Sequence, residues 1–210
     1  MKGLVLKDMF NLWKSVKQMV IVLAVISICI IMSGGGDGMP AVCGIIAVSL
    51  VITTFAIDER CGWPKFALTM PISKMAYVAA KYITAVVLCL AGVLFGTIVA
   101  VAAGSIAGNF DLPLMWENFA AGIIAALIFS GIIIPLMLKF GTENARIILI
   151  GIVGVPSLAL WAIGRKVDLD GIEITSDAEI AIGICLVVAT IIINVVSYFI
   201  SLRIMNKKEF

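Results

Sequence analysis

The sequence predicts an all-α integral membrane protein with six transmembrane helices, an amino-terminal interfacial helix and a short cytoplasmic helix between the second and third spans. Of its 210 residues, 62% are hydrophobic and 13% are charged, whereas soluble domains are roughly 45–50% apolar and about 25% charged. Six apolar stretches approach or exceed the length of about 20 residues that crosses a bilayer. Lysines and arginines concentrate between alternate stretches, which is typical of multi-pass proteins.

The amino-terminal segment, residues 1–18, predicts a helix that lies on the membrane surface. Leu4, Phe10 and Trp13 can face the lipid while lysines such as Lys7 face the headgroups. Two interpretations stay open for this segment. It either touches a cytoplasmic partner or simply anchors the chain.

The six predicted spans make the whole chain, residues 1–210, a single transmembrane domain. They cover residues 19–33, 39–57, 82–106, 118–138, 147–163 and 179–202. The external loop 164–178 alternates apolar and acidic residues around Asp170-Gly171, which predicts a hairpin. A calcium loop is excluded because the later ligands and the closing glutamate are missing.

The distribution of basic residues predicts the orientation in the cell membrane. Of the 15 lysines and arginines, 13 fall on the side that carries both termini, and only Arg165 and Lys166 lie on the other side. Because the positive side faces the cytoplasm, we expect a multi-pass plasma-membrane protein with both termini cytoplasmic.

Small residues recur at intervals of four on the third and fourth spans, a pattern that lets helix backbones approach closely. The positions concerned are Gly92, Gly96, Ala100 and Gly104 on the third span, and Gly122, Ala126 and Ser130 on the fourth. Packing within the chain is one explanation. A subunit interface or a substrate path is the other.

Several function classes are excluded by composition. The chain has no histidine, which removes histidine-activated nucleophiles and most zinc sites. A net charge of +2 without a dense basic patch argues against nucleic acid as a partner. No aspartate, glutamate, lysine or arginine lies deep inside a predicted span, which disfavours ion-coupled transport. We therefore predict no catalytic, cofactor-binding or metal-binding residue, and we expect the energy for any transport to come from another chain.

The loop at 58–73 carries the most specific information. Pro64 suits the first turn of a short helix, Pro71 should end that helix, and Ser73 can cap the third span. The short helix would hold its apolar side chains, Trp63, Phe66 and Leu68, at the inner membrane surface. On these residues alone it is either an interfacial anchor or a docking site for a soluble partner.

Three segments carry a family resemblance. They are MKGLVLKD at residues 1–8, Asp58-Glu59 at the end of the second span, and the run W-x-x-FALTMPISK at 63–74, extended by Val78 and Lys81-Tyr82. In these segments the sequence resembles the permease subunits of ABC-2 type ABC transporters. Within that group it is similar to six-span permeases that export phenol-soluble modulins and other antimicrobial peptides.

The resemblance implies a non-catalytic membrane subunit. A separate P-loop ATPase would bind ATP and Mg²⁺, and two ATPases would work with two permeases, the second being another copy of this chain or a homologue. The 58–73 loop would be the coupling helix. Its packing surface would be Trp63, Phe66 and Leu68, and its polar contacts with the ATPase would be Asp58, Glu59 and Arg60.

The leading functional hypothesis is therefore the permease of an ATP-driven exporter of hydrophobic or amphipathic peptides, embedded in the lipid bilayer. The apolar spans support this cargo class, since ions and sugars need convergent polar groups. The alternative is a non-transport membrane protein, such as a bacteriocin immunity or assembly factor. An ATPase gene beside this one would favour the permease.

Overall fold

The computed structural model describes residues 2–32, 38–69, 73–107, 112–164 and 176–207. Its helices are α1 (Lys2–Met32), α2 (Met39–Arg60), α3 (Trp63–Thr69), α4 (Lys74–Ala107), α5 (Leu112–Gly164) and α6 (Ser176–Lys207). Within these ranges no residue lies in a strand. The predicted hairpin loop falls mostly outside the described residues.

Five of these helices are long and apolar enough to cross a membrane, as judged over the described residues. The predicted all-helical membrane class is thereby confirmed. The count of six spans stays a prediction, because α5 covers both the fourth and the fifth predicted span.

Helix α5 is interrupted at Gly141, whose φ of 77° and ψ of 173° are not helical. A positive φ is readily adopted only by glycine, so this residue divides α5 into a first part, 112–140, and a second part, 142–164. Beyond the break, Ala145 is buried and Leu149 packs against the same apolar cluster as Met137 of the first part. The second part therefore stays in contact with the bundle.

Helix α1 runs without a break through residue 18, where the sequence predicts a change from interfacial helix to span. A single buried stripe explains this continuity. Leu4, Asp8 and Leu12 are spaced by four residues and buried, and Leu23 and Ser27 continue the stripe. Both halves of α1 consequently pack against the bundle along one face.

Helix α2 lies between α4 and α5, and small residues allow its close approach to both. A Cβ atom on Gly96 would lie 2.7 Å from the Met39 carbonyl oxygen, and one on Gly122 would lie 2.9 Å from the Pro40 carbonyl carbon. Gly92 and Ala126 are also buried. These four of the predicted small-residue positions therefore lie at helix contacts within the chain. Two further positions on α4, Ala100 and Gly104, are only half-buried.

Hydrogen bonds between side chains and backbone connect α6 to the rest of the bundle. Ser197 Oγ donates to the Gly131 carbonyl oxygen at 2.5 Å and lies 2.6 Å from the Tyr82 hydroxyl. Asn194 Nδ2 donates to the Leu127 carbonyl oxygen at 3.3 Å. Such bonds hold helices together where lipid offers no competing partner.

Candidate functional site

Helix α3 follows α2 through a glycine turn. Cys61 N–H donates to the Ile57 carbonyl oxygen and Gly62 N–H to that of Glu59, so both bonds close the end of α2. Gly62 has a φ of 62°, which a residue with a side chain rarely adopts. The chain then enters α3 at Trp63, with Pro64 in the first turn as predicted.

Helix α4 begins where the sequence predicts a cap. The Ala76 N–H donates to Ser73 Oγ at 3.1 Å, which satisfies one of the free amides of the first turn. Pro71, the predicted end of the short helix, lies outside the described residues.

The two aromatic side chains of α3 differ in exposure. Their ring centroids lie 5.6 Å apart, but Trp63 packs against the apolar core whereas Phe66 is 52% exposed. The Lys7 ammonium lies 4.5 Å from the Trp63 ring centroid. Trp63 thus attaches α3 to the bundle, and among the described side chains of α3 Phe66 is the one that is largely exposed. Leu68 lies in α3, but its side chain is outside the described residues.

A cluster of four charges, three of them buried and Lys7 partly buried, lies beside α3 and joins three helices. Asp58 at the end of α2 pairs with Lys7 at 2.5 Å and with Lys81 at 2.6 Å. Asp8 pairs with Lys81 at 3.0 Å and with Lys7 at 3.1 Å. Tyr77 donates its hydroxyl to Asp58 at 3.2 Å. We call Lys7, Asp8, Asp58 and Lys81 the charge cluster.

The charge cluster is balanced and desolvated. Asp8, Asp58 and Lys81 are each no more than 2% exposed, and Lys81 also lies 5.0 Å from the Phe55 ring centroid. Two cations and two carboxylates neutralise one another, which buried charges require. The cluster therefore connects α1, α2 and α4 at the end of the bundle where α3 lies.

The neighbouring carboxylate, Glu59, points to a different helix. Its Oε2 accepts the Thr142 N–H at 2.9 Å and the Thr142 hydroxyl at 2.6 Å. A Cβ atom on Gly141 would lie 2.9 Å from Glu59 Oε1. Glu59 thus caps the second part of α5, where a negative charge also complements the helix dipole.

A small cavity lies between these contacts. Its volume is about 180 Å³, and its wall includes Phe55, Glu59, Tyr77, Met137 and Met205. Ligand pockets commonly measure about 300–1,000 Å³, so this cavity is too small for a peptide. Within the described ranges, no three cysteine, aspartate or glutamate side chains come together as metal ligands would.

Comparison with known proteins decides the family. The sequence model of one protein family, described as 'ABC-2 family transporter protein', matches residues 3–206. The chain belongs to the ABC-2 transporter family. It is therefore the membrane permease component of an ABC transporter, and the family implies an ABC ATPase partner in general. No curated protein and no solved structure matches the chain.

The predicted coupling residues of this ABC-2 permease occupy different surroundings. Asp58 is buried in the charge cluster, and Glu59 contacts α5 although its side chain is exposed. Arg60 is exposed at the end of α2. In this structure Asp58 contacts other parts of the same chain rather than facing outward. An ATPase contact by these three residues stays a prediction.

The sequence alone does not predict the charge cluster. The sequence places Lys81 in the loop before the third predicted span, which begins at residue 82. In the structure α4 already begins at Lys74, and Lys81 is buried on that helix. One signal does point to it. Asp8 lies four residues from both Leu4 and Leu12 on an apolar face, and a carboxylate on such a face requires a buried cation nearby.

Proposed function

We propose that this ABC-2 permease exports hydrophobic or amphipathic peptides and is driven by a separate ATPase that docks on α3. In this proposal six spans cross the plasma membrane, both termini are cytoplasmic, and two permeases assemble with two ATPases. The second permease is another copy of this chain or a homologue.

The observation that carries the docking proposal is the position of α3 with its exposed Phe66. The Lys7–Asp58 and Lys74–Asn206 contacts bring the start of α1, the end of α2, the start of α4 and the end of α6 to one end of the bundle. That end carries most of the basic residues, which supports a cytoplasmic location. A short helix held there by Trp63 is well placed to receive a soluble subunit.

ATP and Mg²⁺ belong to the partner in this proposal. A P-loop ATPase carries the pattern G-x-x-x-x-G-K-[ST], and this pattern is not present in the sequence. The permease would respond to nucleotide through α3 and the contacts around it.

The proposed cargo class follows from the polarity of the spans. Two of the polar side chains at depth bond to the backbone of their own helix: Thr54 donates to the Val51 carbonyl oxygen at 2.8 Å and Thr190 to that of Leu186 at 2.7 Å. Ions and sugars would need several convergent polar groups. Peptides with apolar faces do not.

The docking proposal is tested by Phe66→Ala in the full chain, isolated from native membranes in mild detergent. We expect a stoichiometric P-loop ATPase with the unaltered chain and at least a tenfold weaker association with the variant, since exposed aromatic anchors dominate many interfaces. Trp63→Ala should weaken it as well, but that change also removes a core contact.

The matched control is Trp116→Ala combined with Phe119→Ala. These rings also form a tryptophan–phenylalanine pair, with centroids 6.0 Å apart, but they lie near the start of α5, away from α3. The control should retain the ATPase. Equal retention by Phe66→Ala would refute docking on α3, and absence of any ATPase in several detergents would refute the proposed ATPase partner.

The cargo proposal needs a separate experiment. Deleting the gene should abolish release of amphipathic peptides, and restoring the chain should recover it. Unchanged peptide release, from cells in which the ATPase complex is intact, would contradict this cargo.

A further inference from the structure

The carboxylate of Glu59 joins two parts of the molecule that are distant in sequence. Glu59 lies in the last turn of α2, shortly before α3 begins, and Thr142 begins the second part of α5. Caps normally come from the residue that directly precedes a helix, yet this cap comes from a residue 83 positions earlier. The second part of α5 is therefore held by the last turn of α2, three residues before α3 begins.

The geometry of this contact gives it mechanical strength. One carboxylate oxygen accepts both an amide and a hydroxyl hydrogen of Thr142, at 2.9 Å and 2.6 Å. Hydrogen bonds to an ionised group are shorter and roughly twice as strong as neutral ones. A displacement of Glu59 would thus be opposed by two directed bonds on a single residue.

The residue beside the contact allows movement. Gly141 has a φ of 77° and a ψ of 173°, which break the helical path of α5. Glycine at this position leaves room for the carboxylate, because a Cβ atom would lie 2.9 Å from Glu59 Oε1. Gly141 therefore separates the two parts of α5 directly beside the Glu59–Thr142 contact.

The two adjacent carboxylates divide the contacts of the α2 end. Successive residues on a helix point about 100° apart, and Asp58 binds Lys7 and Lys81 while Glu59 binds Thr142. The charge cluster fixes the end of α2 to α1 and α4. Glu59 instead forms the contact with the second part of α5.

We propose that Glu59 is a positioning residue that transmits displacement of α3 to the second part of α5. This inference rests on the proposed docking of an ATPase on α3. When the docked ATPase moves α3, the end of α2 moves with it, and the Glu59 carboxylate carries the start of 142–164 along.

The test uses the full chain in nanodiscs with the ATPase that copurifies, followed by amide hydrogen exchange and mass spectrometry. Without nucleotide, Glu59→Ala should raise exchange of peptides covering 142–146 by about tenfold or more, because a charge-assisted bond to an amide is lost. With ATP and vanadate, the unaltered complex should change its exchange across 142–152. Glu59→Ala should lose that response in the complexes that still contain the ATPase, and Thr142→Val, which lies outside the predicted ATPase contacts, should weaken it with the ATPase fully bound.

Two further variants separate transmission from simple folding. Glu143→Ala removes the same charge from an exposed residue next to Thr142, and it should keep the nucleotide response. Thr142→Val removes only the hydroxyl bond, and it should weaken the nucleotide response. This variant provides the test if Glu59→Ala does not yield folded protein.

The outcomes distinguish the two proposals. A nucleotide response in 142–152 that persists in Glu59→Ala would overturn the inference and leave Glu59 as a helix cap only. The inference would equally be overturned if the unaltered complex showed no response there. Failure of any ATPase to copurify with the unaltered chain would refute the proposed function, and with it the transmission that rests on docking.

Discussion

Replacing Lys81 with methionine tests whether the charge cluster holds the end of the bundle together. Lys81 is 1% exposed and lies within 3.0 Å of carboxylate oxygens from both Asp8 and Asp58. Methionine keeps a similar length and fills the same apolar surroundings. The change therefore removes the charge while it retains most of the packing.

The expected loss follows from the contacts that remain. After Lys81→Met, Asp8 and Asp58 share only Lys7, so one buried carboxylate has no compensating cation. Breaking a buried pair in this way costs about 3–5 kcal/mol. For a chain of this size each kcal/mol corresponds to about 2–4 °C in Tm. We expect the midpoint of thermal unfolding in detergent to fall by about 6–20 °C.

A second substitution in the cluster sharpens the test. Lys81→Met combined with Asp8→Leu leaves the Lys7–Asp58 pair, whose atoms lie 2.5 Å apart, and restores neutrality. The double variant should recover a large part of the lost stability, with a coupling energy of about 1–3 kcal/mol. Lys139→Met, which removes an exposed lysine, should change stability by no more than about 0.5 kcal/mol. Additive losses from Lys81→Met and Asp8→Leu would refute the reasoning.

Two further substitutions test the helix contacts, each read as a thermal midpoint in the same detergent. Gly96→Ala should destabilise by about 1–3 kcal/mol because the new methyl meets backbone atoms of α2, whereas Gly151→Ala, with nothing within 4 Å, should be neutral or slightly stabilising. An equal effect at both glycines would contradict close packing on α2. Ser197→Ala should lower the free energy of unfolding by about 0.5–1.5 kcal/mol, because it removes the hydroxyl that donates to the Gly131 carbonyl oxygen. The control is Ser105→Ala, which should leave the thermal midpoint unchanged because the Ser105 hydroxyl bonds only within its own helix.

The features that depend on local sequence are predictable. The all-helical membrane class follows from composition and from the length of the apolar stretches. Pro64 and Ser73 place the start of α3 and the cap of α4 correctly, because each acts through its own backbone geometry or a bond to a residue three positions away. Such signals need no knowledge of the tertiary structure.

The contacts between distant residues are not predictable in the same way. Lys81 reads as a loop charge because an apolar run begins directly after it, and only the packing of α1 against α4 provides the carboxylate of Asp8. Glu59 and Thr142 are 83 residues apart, with no periodicity that relates them. The small-residue stripes predict close packing in general, but they do not identify α2 as the partner, because the α2 residues that face them include Met39, Pro40 and Cys43 as well as Gly44 and alanines.

The charge cluster and the Glu59–Thr142 contact suit different mechanical tasks because their exposure differs. Separating the cluster would expose or strand four charges, three of which are at most 2% exposed, so α1, α2 and α4 should move as one body at this end. Glu59 is exposed and accepts two hydrogen bonds from Thr142, so it links this body to the first residue of the second part of α5. Movement within the permease should therefore concentrate at Gly141, between the first part of α5 and the second part that Glu59 holds.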